Sequence, residues 1–202
     1  MIQGSEEWHK ARLGNVTASR VVGILKGKKG AYLASRKNYL AEKVCEVLTG
    51  TREETFISCP MLRGTEQEPF ARMEYEIRSG NWVEQDAFKL HPTIKGLGAS
   101  PDGLVDIDGS IEIKNPNTAT HLETLTTEKI KYDYVVQMQV VMMVYDRKWC
   151  DFVSFDDRLP ENLSYYCKRF FRDEALISEI ETEVNLFTAE LSVMLEKLEA
   201  LK

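Results

Sequence analysis

Gly98-Ala99-Ser100-Pro101-Asp102-Gly103-Leu104, followed by Ser110-Ile111-Glu112-Ile113-Lys114, is the stretch that decides how this chain is read. The two segments predict short strands facing each other across Asp108-Gly109, a dipeptide that favours a tight hairpin because both positions tolerate positive φ. Side chains alternate along a strand, so Glu112 and Lys114 share one face while Ile111 and Ile113 pack on the other. An antiparallel partner ending at Asp102 brings a second carboxylate to the face of Glu112. Asp-Gly turns are common, and a Glu-x-Lys pair often marks only a solvated face. Here the two isoleucines imply a buried face that fixes the register, and Ser100-Pro101 sets a hydroxyl and a stiff turn beside the acid. Two acids and a lysine on one side of a small sheet describe a magnesium site next to a group that can orient a water, which is the chemistry of a nuclease.

Ser-Pro-Asp-Gly-Leu, a short gap and Glu-Ile-Lys-Asn-Pro resembles the Asp…Glu-x-Lys core of the restriction-endonuclease-like nucleases. Within that superfamily the chain is similar to the phage lambda exonuclease family of viral recombination nucleases. Glu7-Trp8-His9-Lys10-Ala11-Arg12-Leu13-Gly14 with Thr17-Ala18-Ser19 resembles that family's amino-terminal signature. Arg63-Gly64-Thr65-Glu66-Gln67-Glu68 resembles its helix carrying a further metal-binding acid, and Tyr134-Val135-Val136-Gln137-Met138-Gln139 its helix with an active-site glutamine. The blocks follow the family's order from about residue 5 to about residue 158, which is stronger than any one of them alone.

The resemblance implies an α/β fold with a restriction-endonuclease-like core, a central mixed β-sheet flanked by helices, and one domain over residues 1–202. It implies that Asp102 and Glu112 bind magnesium with the Ile113 carbonyl and Glu68. Two ions about 4 Å apart would serve an in-line displacement, with manganese as a substitute. Lys114 would orient or deprotonate the attacking water, and Gln137 would hydrogen-bond within the site or be a plain polar helix position. Arg12, Ser19 and Ser100 correspond to the family's contacts to a terminal 5′-phosphate. A further family arginine is absent here: its place falls at Thr120, with His121 next as a partial substitute. Trp8 matches an aromatic residue near the DNA end and Met61 an apolar wedge between strands. Both also read as core residues, and for Met61 that is the preferred reading.

The implied activity is a magnesium-dependent, processive 5′-to-3′ exonuclease on linear duplex DNA. It would release mononucleotides and leave a 3′-ended single strand for recombination by annealing. A homotrimeric ring around DNA and a single-strand annealing partner are implied in the same way. The alternatives are a related endonuclease of different polarity and a non-catalytic module that binds DNA ends.

Composition agrees with an ordinary folded chain: 202 residues, 43% hydrophobic and 29% charged, are enough for a real core. No apolar run approaches the roughly 20 residues that cross a bilayer, and the amino terminus lacks a secretory pattern, so a cytoplasmic location is expected; the resemblance implies a phage or prophage protein in a bacterial host. Cys45, Cys59, Cys150 and Cys167 have no Cys-x-x-Cys spacing and read as plain thiols. The net charge of −6 argues against tight, indiscriminate DNA binding but not against a local basic patch. Lys26 to Gly30, with Lys28 and Lys29, is the obvious basic loop, and Arg12, Arg20 and Arg36 are near it in sequence.

Hydrophobic periodicity predicts helices from Thr17, as N-cap, through Leu25, over Tyr32–Leu48 with Gly50 as stop, and over Leu62–Arg78 with Gly80 as stop. A further apolar helix around Tyr134–Tyr145 is expected to be capped by Asp133. Strands are expected near Trp82–Leu90, Gly96–Ala99, Gly103–Asp106, Ser110–Lys114, Trp149–Phe155 and Leu163–Phe171. The tail predicts a long amphipathic helix with Leu176, Ile180, Val184, Phe187, Leu191, Met194 and Leu198 on one stripe.

Overall fold

The computed structural model describes residues 1–27, 29–53 and 58–201. Lys28, expected to contact DNA, lies outside the described residues. Elements run in the order α1 (Glu6–Arg12), β1 (Val16–Thr17), α2 (Ala34–Thr49), α3 (Cys59–Ser79), β2 (Val83–Glu84), β3 (Lys89–Leu90), β4 (Leu97–Ala99), β5 (Gly103–Val105) and β6 (Gly109–Lys114). They continue with α4 (Thr118–Thr127), α5 (Tyr132–Tyr145), β7 (Trp149–Phe155), β8 (Tyr165–Phe171) and α6 (Glu174–Glu199).

A five-stranded mixed sheet has the order β2-β5-β6-β7-β8, and a three-stranded sheet has the order β1-β4-β3. In the larger sheet only β6 and β7 pair in parallel. Parallel neighbours need a long crossover, and α4 and α5 supply it. The segment expected as one strand, Trp82–Leu90, splits: Val83–Glu84 edges the large sheet and Lys89–Leu90 edges the small one.

Helices cover both faces of the large sheet, and this fixes the direction of each side chain on β6. Ile111 and Ile113 pack with Ala71 and Tyr75 of α3, together with Val153 and Phe155 of β7. On the opposite face Cys150 and Phe152 pack with Met138 and Met142 of α5. Alternation therefore turns Glu112 and Lys114 toward α5. A third cluster joins α5, α6 and the small sheet through Val140, Val144, Leu97, Ile180, Val184 and Phe187. The apolar stripe of α6 serves this core as far as Phe187; Leu191 beyond it is still buried, and Met194 is exposed.

Several local expectations are corrected. The β5–β6 connection is not a two-residue Asp-Gly turn. Val105 pairs with Gly109, leaving Asp106, Ile107 and Asp108 as the loop, and Asp106 takes the left-handed conformation at φ 48°. Gly109 is needed for another reason: a Cβ there would lie 2.2 Å from the Trp149 ring. Thr17 precedes a short 3₁₀ segment, Ala18–Gly23, without a side-chain capping bond. Helix α5 starts at Tyr132, so Asp133 falls in its first turn, where its charge still suits the helix dipole. Gly50 and Gly80 end α2 and α3 in the left-handed conformation as expected. Among the described residues no helix is long and apolar enough to cross a membrane.

The Trp149 ring is held in place by the Arg169 guanidinium stacked 3.6 Å from its centre. Gly109→Ala should therefore lower stability by about 1–3 kcal/mol, the usual cost of overpacking. Chemical denaturation checks this; an unchanged midpoint would show that the ring moves aside freely.

Candidate active site

The site is built on the end of β6. Glu112 is 1% exposed, and Lys114, two residues on, contacts its Oε1. The other oxygen, Oε2, is buried without a hydrogen-bond partner. Asp102 sits one residue before β5, next to the Gly103–Ile111 pair. Its Oδ2 accepts the Ile113 N–H at 2.7 Å, which ties the acid to the strand bearing Glu112. Lys114 Nζ also reaches Gln137 Oε1 of α5 at 3.4 Å and lies 5.0 Å from the centre of the Tyr134 ring. Glu68 comes from α3 and is held by Arg72, one turn later, at 2.6 Å. The cavity over these groups includes Met61, Glu68, Asp102, Ile113, Lys114, Asn115 and Tyr134.

The electrostatics follow from crowding acids away from water. Burial pushes Glu112 up to about 8, with Lys114 opposing and the charge of Asp102 adding to the rise. Burial, then the charge of Asp102, pushes Glu68 up to about 7. Asp102 is raised by burial as well, although Lys114 and the Ile113 N–H pull the other way. Burial alone would lower Lys114, but Glu112 and Asp102 outweigh it and raise it further. A buried carboxylate with an idle oxygen, beside an Asp102 whose charge raises both it and Glu68, fits a hard divalent cation. Among the described residues no three such side chains converge closely enough to hold an ion by themselves. Glu68 is turned toward Arg72, so a cation bound here would draw on Asp102, Glu112 and the Ile113 carbonyl, with water or phosphate oxygens completing its shell.

A second cavity, of 210 Å³, lies against the first and shares Asp102 with it. Its lining includes Trp8, Arg12, Ser19, Ser100 and Gln137. Trp8 donates its indole N–H to Ser100 Oγ at 2.9 Å, and Arg12 donates to the same oxygen at 3.3 Å. The Arg12 guanidinium stacks on the Trp8 ring at 4.0 Å. Burial lowers Arg12 to about 10, and among the described residues no carboxylate forms a salt bridge with it. A desolvated guanidinium backed by two hydroxyls is a prepared seat for an anion.

Other expected residues fall elsewhere. His121 is fully buried, with Nδ1 against Ser154 Oγ (2.7 Å) and Nε2 against the Leu163 carbonyl (2.9 Å); both ring nitrogens are occupied, so the site does not receive it. Thr120 lies in the first turn of α4 with its N–H capped by Asn117, and it does not line the Arg12 cavity. Met61 is not core: it is 56% exposed at the mouth of the acidic cavity. Arg20, Arg36 and Lys26 are engaged by Glu42, Glu190 and Glu183, and Lys29 is exposed away from both cavities. The sequence reading missed Arg72, although its i+4 spacing from Glu68 was available as a signal. It also missed Tyr134 and Asn115. Asn115 donates to the Gly64 carbonyl at 2.9 Å, tying β6 to the helix of Glu68; no sequence signal announces that contact.

The pattern of the YqaJ-like viral recombinase domain matches residues 7–148. The chain belongs to this family. The structure is similar to that of an alkaline exonuclease, LHK-Exo, from Laribacter hongkongensis, at 54% identity over 97% of each chain with a TM-score of 0.91. The complex of LHK-Exo with dAMP matches equally well, at 53% identity, 97% coverage of each chain and a TM-score of 0.91. A phage related exonuclease from Haemophilus somnus shares the fold at 18% identity, with a TM-score of 0.75 over 91% of this chain and 96% of that one. No curated protein sequence matches the chain. The family and the restriction-endonuclease-like fold read from the Asp…Glu-x-Lys segment both hold.

The raised acids have a thermodynamic consequence. Glu112 and Glu68 bind protons more tightly folded than unfolded, from their ordinary 4.5 up to about 8 and about 7. The metal-free chain should therefore lose stability as pH rises through that window and regain it on acidification toward about pH 5. Thermal melts in EDTA across the window check the sign; a rise in stability with pH would contradict it.

Proposed function

We propose that this protein is a metal-dependent exonuclease that degrades linear duplex DNA from its 5′ ends. The observation that carries the reading is the adjacency of two unlike sites. A desolvated Arg12, which no described carboxylate engages in a salt bridge, borders the acidic centre with Ser19 and Ser100 through the shared Asp102. A terminal phosphate in the first site leaves the next phosphodiester at the second. Similarity to an alkaline exonuclease at 54% identity supports the same class of reaction.

Water attacks the phosphorus of that phosphodiester and the bond to the 3′ oxygen of the terminal nucleotide breaks. The terminal nucleotide leaves as a 5′-mononucleotide, and the shortened strand keeps a new 5′-phosphate. Each cut thus regenerates the group that Arg12, Ser19 and Ser100 recognise. Magnesium, when bound, supplies Lewis-acid stabilisation of the phosphate and leaving oxygen. Asp102 and Glu112 would hold it, and Glu68 would join on turning from Arg72. Lys114, kept protonated by Glu112 and Asp102, offsets charge building on the phosphoryl oxygens and orients the water. Gln137 steadies the Lys114 ammonium. Met61, exposed at the mouth, is placed to press on the end of the duplex.

The reading extends to a ring of three copies leaving a 3′-ended strand for an annealing partner. Leu62, Phe70, Met73 and Ile77 of α3, and Leu186, Val193 and Met194 of α6, expose two unlike apolar surfaces. A head-to-tail ring needs two such different surfaces, and sedimentation as a monomer would remove the ring from the account.

Glu112→Gln should abolish magnesium-dependent digestion, by on the order of 10³-fold or more for loss of a metal-holding group acting in the transition state. Arg12→Ala should instead erase the preference for 5′-phosphorylated over 5′-hydroxyl ends while leaving residual hydrolysis. End-labelled linear duplex, with closed circular DNA alongside, reads both. Cutting of the circle would favour an endonuclease, and no cleavage with either magnesium or manganese would favour an end-binding module.

A further inference from the structure

Helix α2 buries polar side chains along one face. Tyr39, Lys43 and Glu46 lie at i, i+4 and i+7, neighbours on that face, and all three are buried. Lys43 Nζ meets Glu46 Oε2 at 2.6 Å and lies 5.1 Å from the centre of the Tyr39 ring. A buried ion pair is often no more stabilising than apolar side chains of the same volume, so the stripe calls for another reason. Its remaining hydrogen bonds supply one. The Gly14 N–H donates to Glu46 Oε2 at 2.8 Å, and the Thr17 N–H donates to the Tyr39 hydroxyl at 3.2 Å. Gly14 follows Arg12 by two residues and Thr17 precedes Ser19 by two, so α2 grips the backbone beside both groups of the proposed 5′-phosphate seat.

Helix α1, which carries Trp8 and Arg12, is seven residues long and buries none of its side chains. A helix so short has little stability of its own, so its place is set by what holds it. Gly14 takes the left-handed conformation at φ 69°, and a Cβ there would lie 2.8 Å from Val47 Cγ2, so bare backbone lets the end of α1 close onto α2. Arg12, Ser19, Tyr39, Lys43 and Glu46 also line a cavity of 240 Å³, which has Arg12 and Ser19 in common with the pocket of Ser100. We propose that Glu46 and Tyr39 are positioning residues that set Arg12 and Ser19 for a terminal 5′-phosphate, with Lys43 neutralising Glu46. The inference rests on the exonuclease reading and adds to it the parts that fix its selectivity for ends.

The test compares kcat/KM for linear duplex ending in a 5′-phosphate with that for a 5′-hydroxyl end. It uses the unaltered chain, Glu46→Ala, Tyr39→Phe, Arg12→Ala and the double variant of Arg12→Ala with Glu46→Ala. A mere loss of folded protein scales both values alike and leaves their ratio unmoved. The proposal expects the ratio to fall about ten-fold or more in Glu46→Ala, the scale of a displaced binding group, chiefly through KM for the phosphorylated end. Tyr39→Phe should lower it by roughly two- to ten-fold, as loss of one hydrogen bond does. With Arg12 already removed, Glu46→Ala should change the ratio no further, because it acts through Arg12. An unchanged ratio in Tyr39→Phe overturns the proposal whether or not Glu46→Ala folds. So does an unchanged ratio in a folded Glu46→Ala, or a further fall in the double variant. Where the unaltered chain prefers phosphorylated ends and Arg12→Ala does not, such a result removes the positioning alone. No preference in the unaltered chain, or no digestion at all, removes the reading on which the proposal stands.

Discussion

Taking the Glu112 carboxylate out of water is the constraint around which this molecule is arranged. Its strand is pinned on one face by Ile111 and Ile113 against α3, so the acid has no freedom to turn toward solvent. An isolated buried carboxylate costs several kcal/mol. The fold meets that cost partly with Lys114 and partly by protonation, which is why Glu112 rises to about 8. Adding Asp102 and Glu68 worsens the repulsion, because Asp102 raises both glutamates. An arrangement that stores negative charge in this way is unfavourable as mere architecture. A bound divalent cation would offset that charge.

The Arg12 pocket carries the opposite imbalance. There a guanidinium is desolvated against Trp8 and, among the described residues, forms no salt bridge with an acid, while Arg20, Arg36 and Arg169 are matched with carboxylates. A chain with net charge −6 thus sets a desolvated cation and a group of buried, crowded acids on either side of Asp102. Local complementarity of this kind, rather than overall charge, suits a nucleic-acid end. The long contacts that hold the two halves together, such as Ile113 N–H to Asp102 and Asn115 to the Gly64 carbonyl, set the spacing between them.

Much of this was legible in the sequence because the decisive signals are short-range. Strand alternation in Ile111-Glu112-Ile113-Lys114 gives the facing of the acid and the lysine, and glycine stops give the ends of α2 and α3. The family blocks point to Asp102, Glu68, Gln137, Arg12, Ser19 and Ser100, which the fold gathers into two adjoining cavities. What was not legible depends on tertiary neighbours. His121 follows a position matched to a phosphate contact, yet packing draws it inward onto Ser154 and Leu163. Met61 reads as core from its chemistry alone, but α3 turns it outward. Gly109 reads as a turn residue, and only the Trp149 ring of β7 reveals why the position must be bare.

The central claim is that the buried acids form a magnesium seat, and titration calorimetry of magnesium into the metal-free protein tests it most directly. Because Glu112 is raised to about 8 and Glu68 to about 7, binding at neutral pH should release protons, so the heat should change with the ionisation enthalpy of the buffer. Asp102→Asn should abolish that binding. Heat that is independent of the buffer, or magnesium binding that survives Asp102→Asn undiminished, would contradict the account.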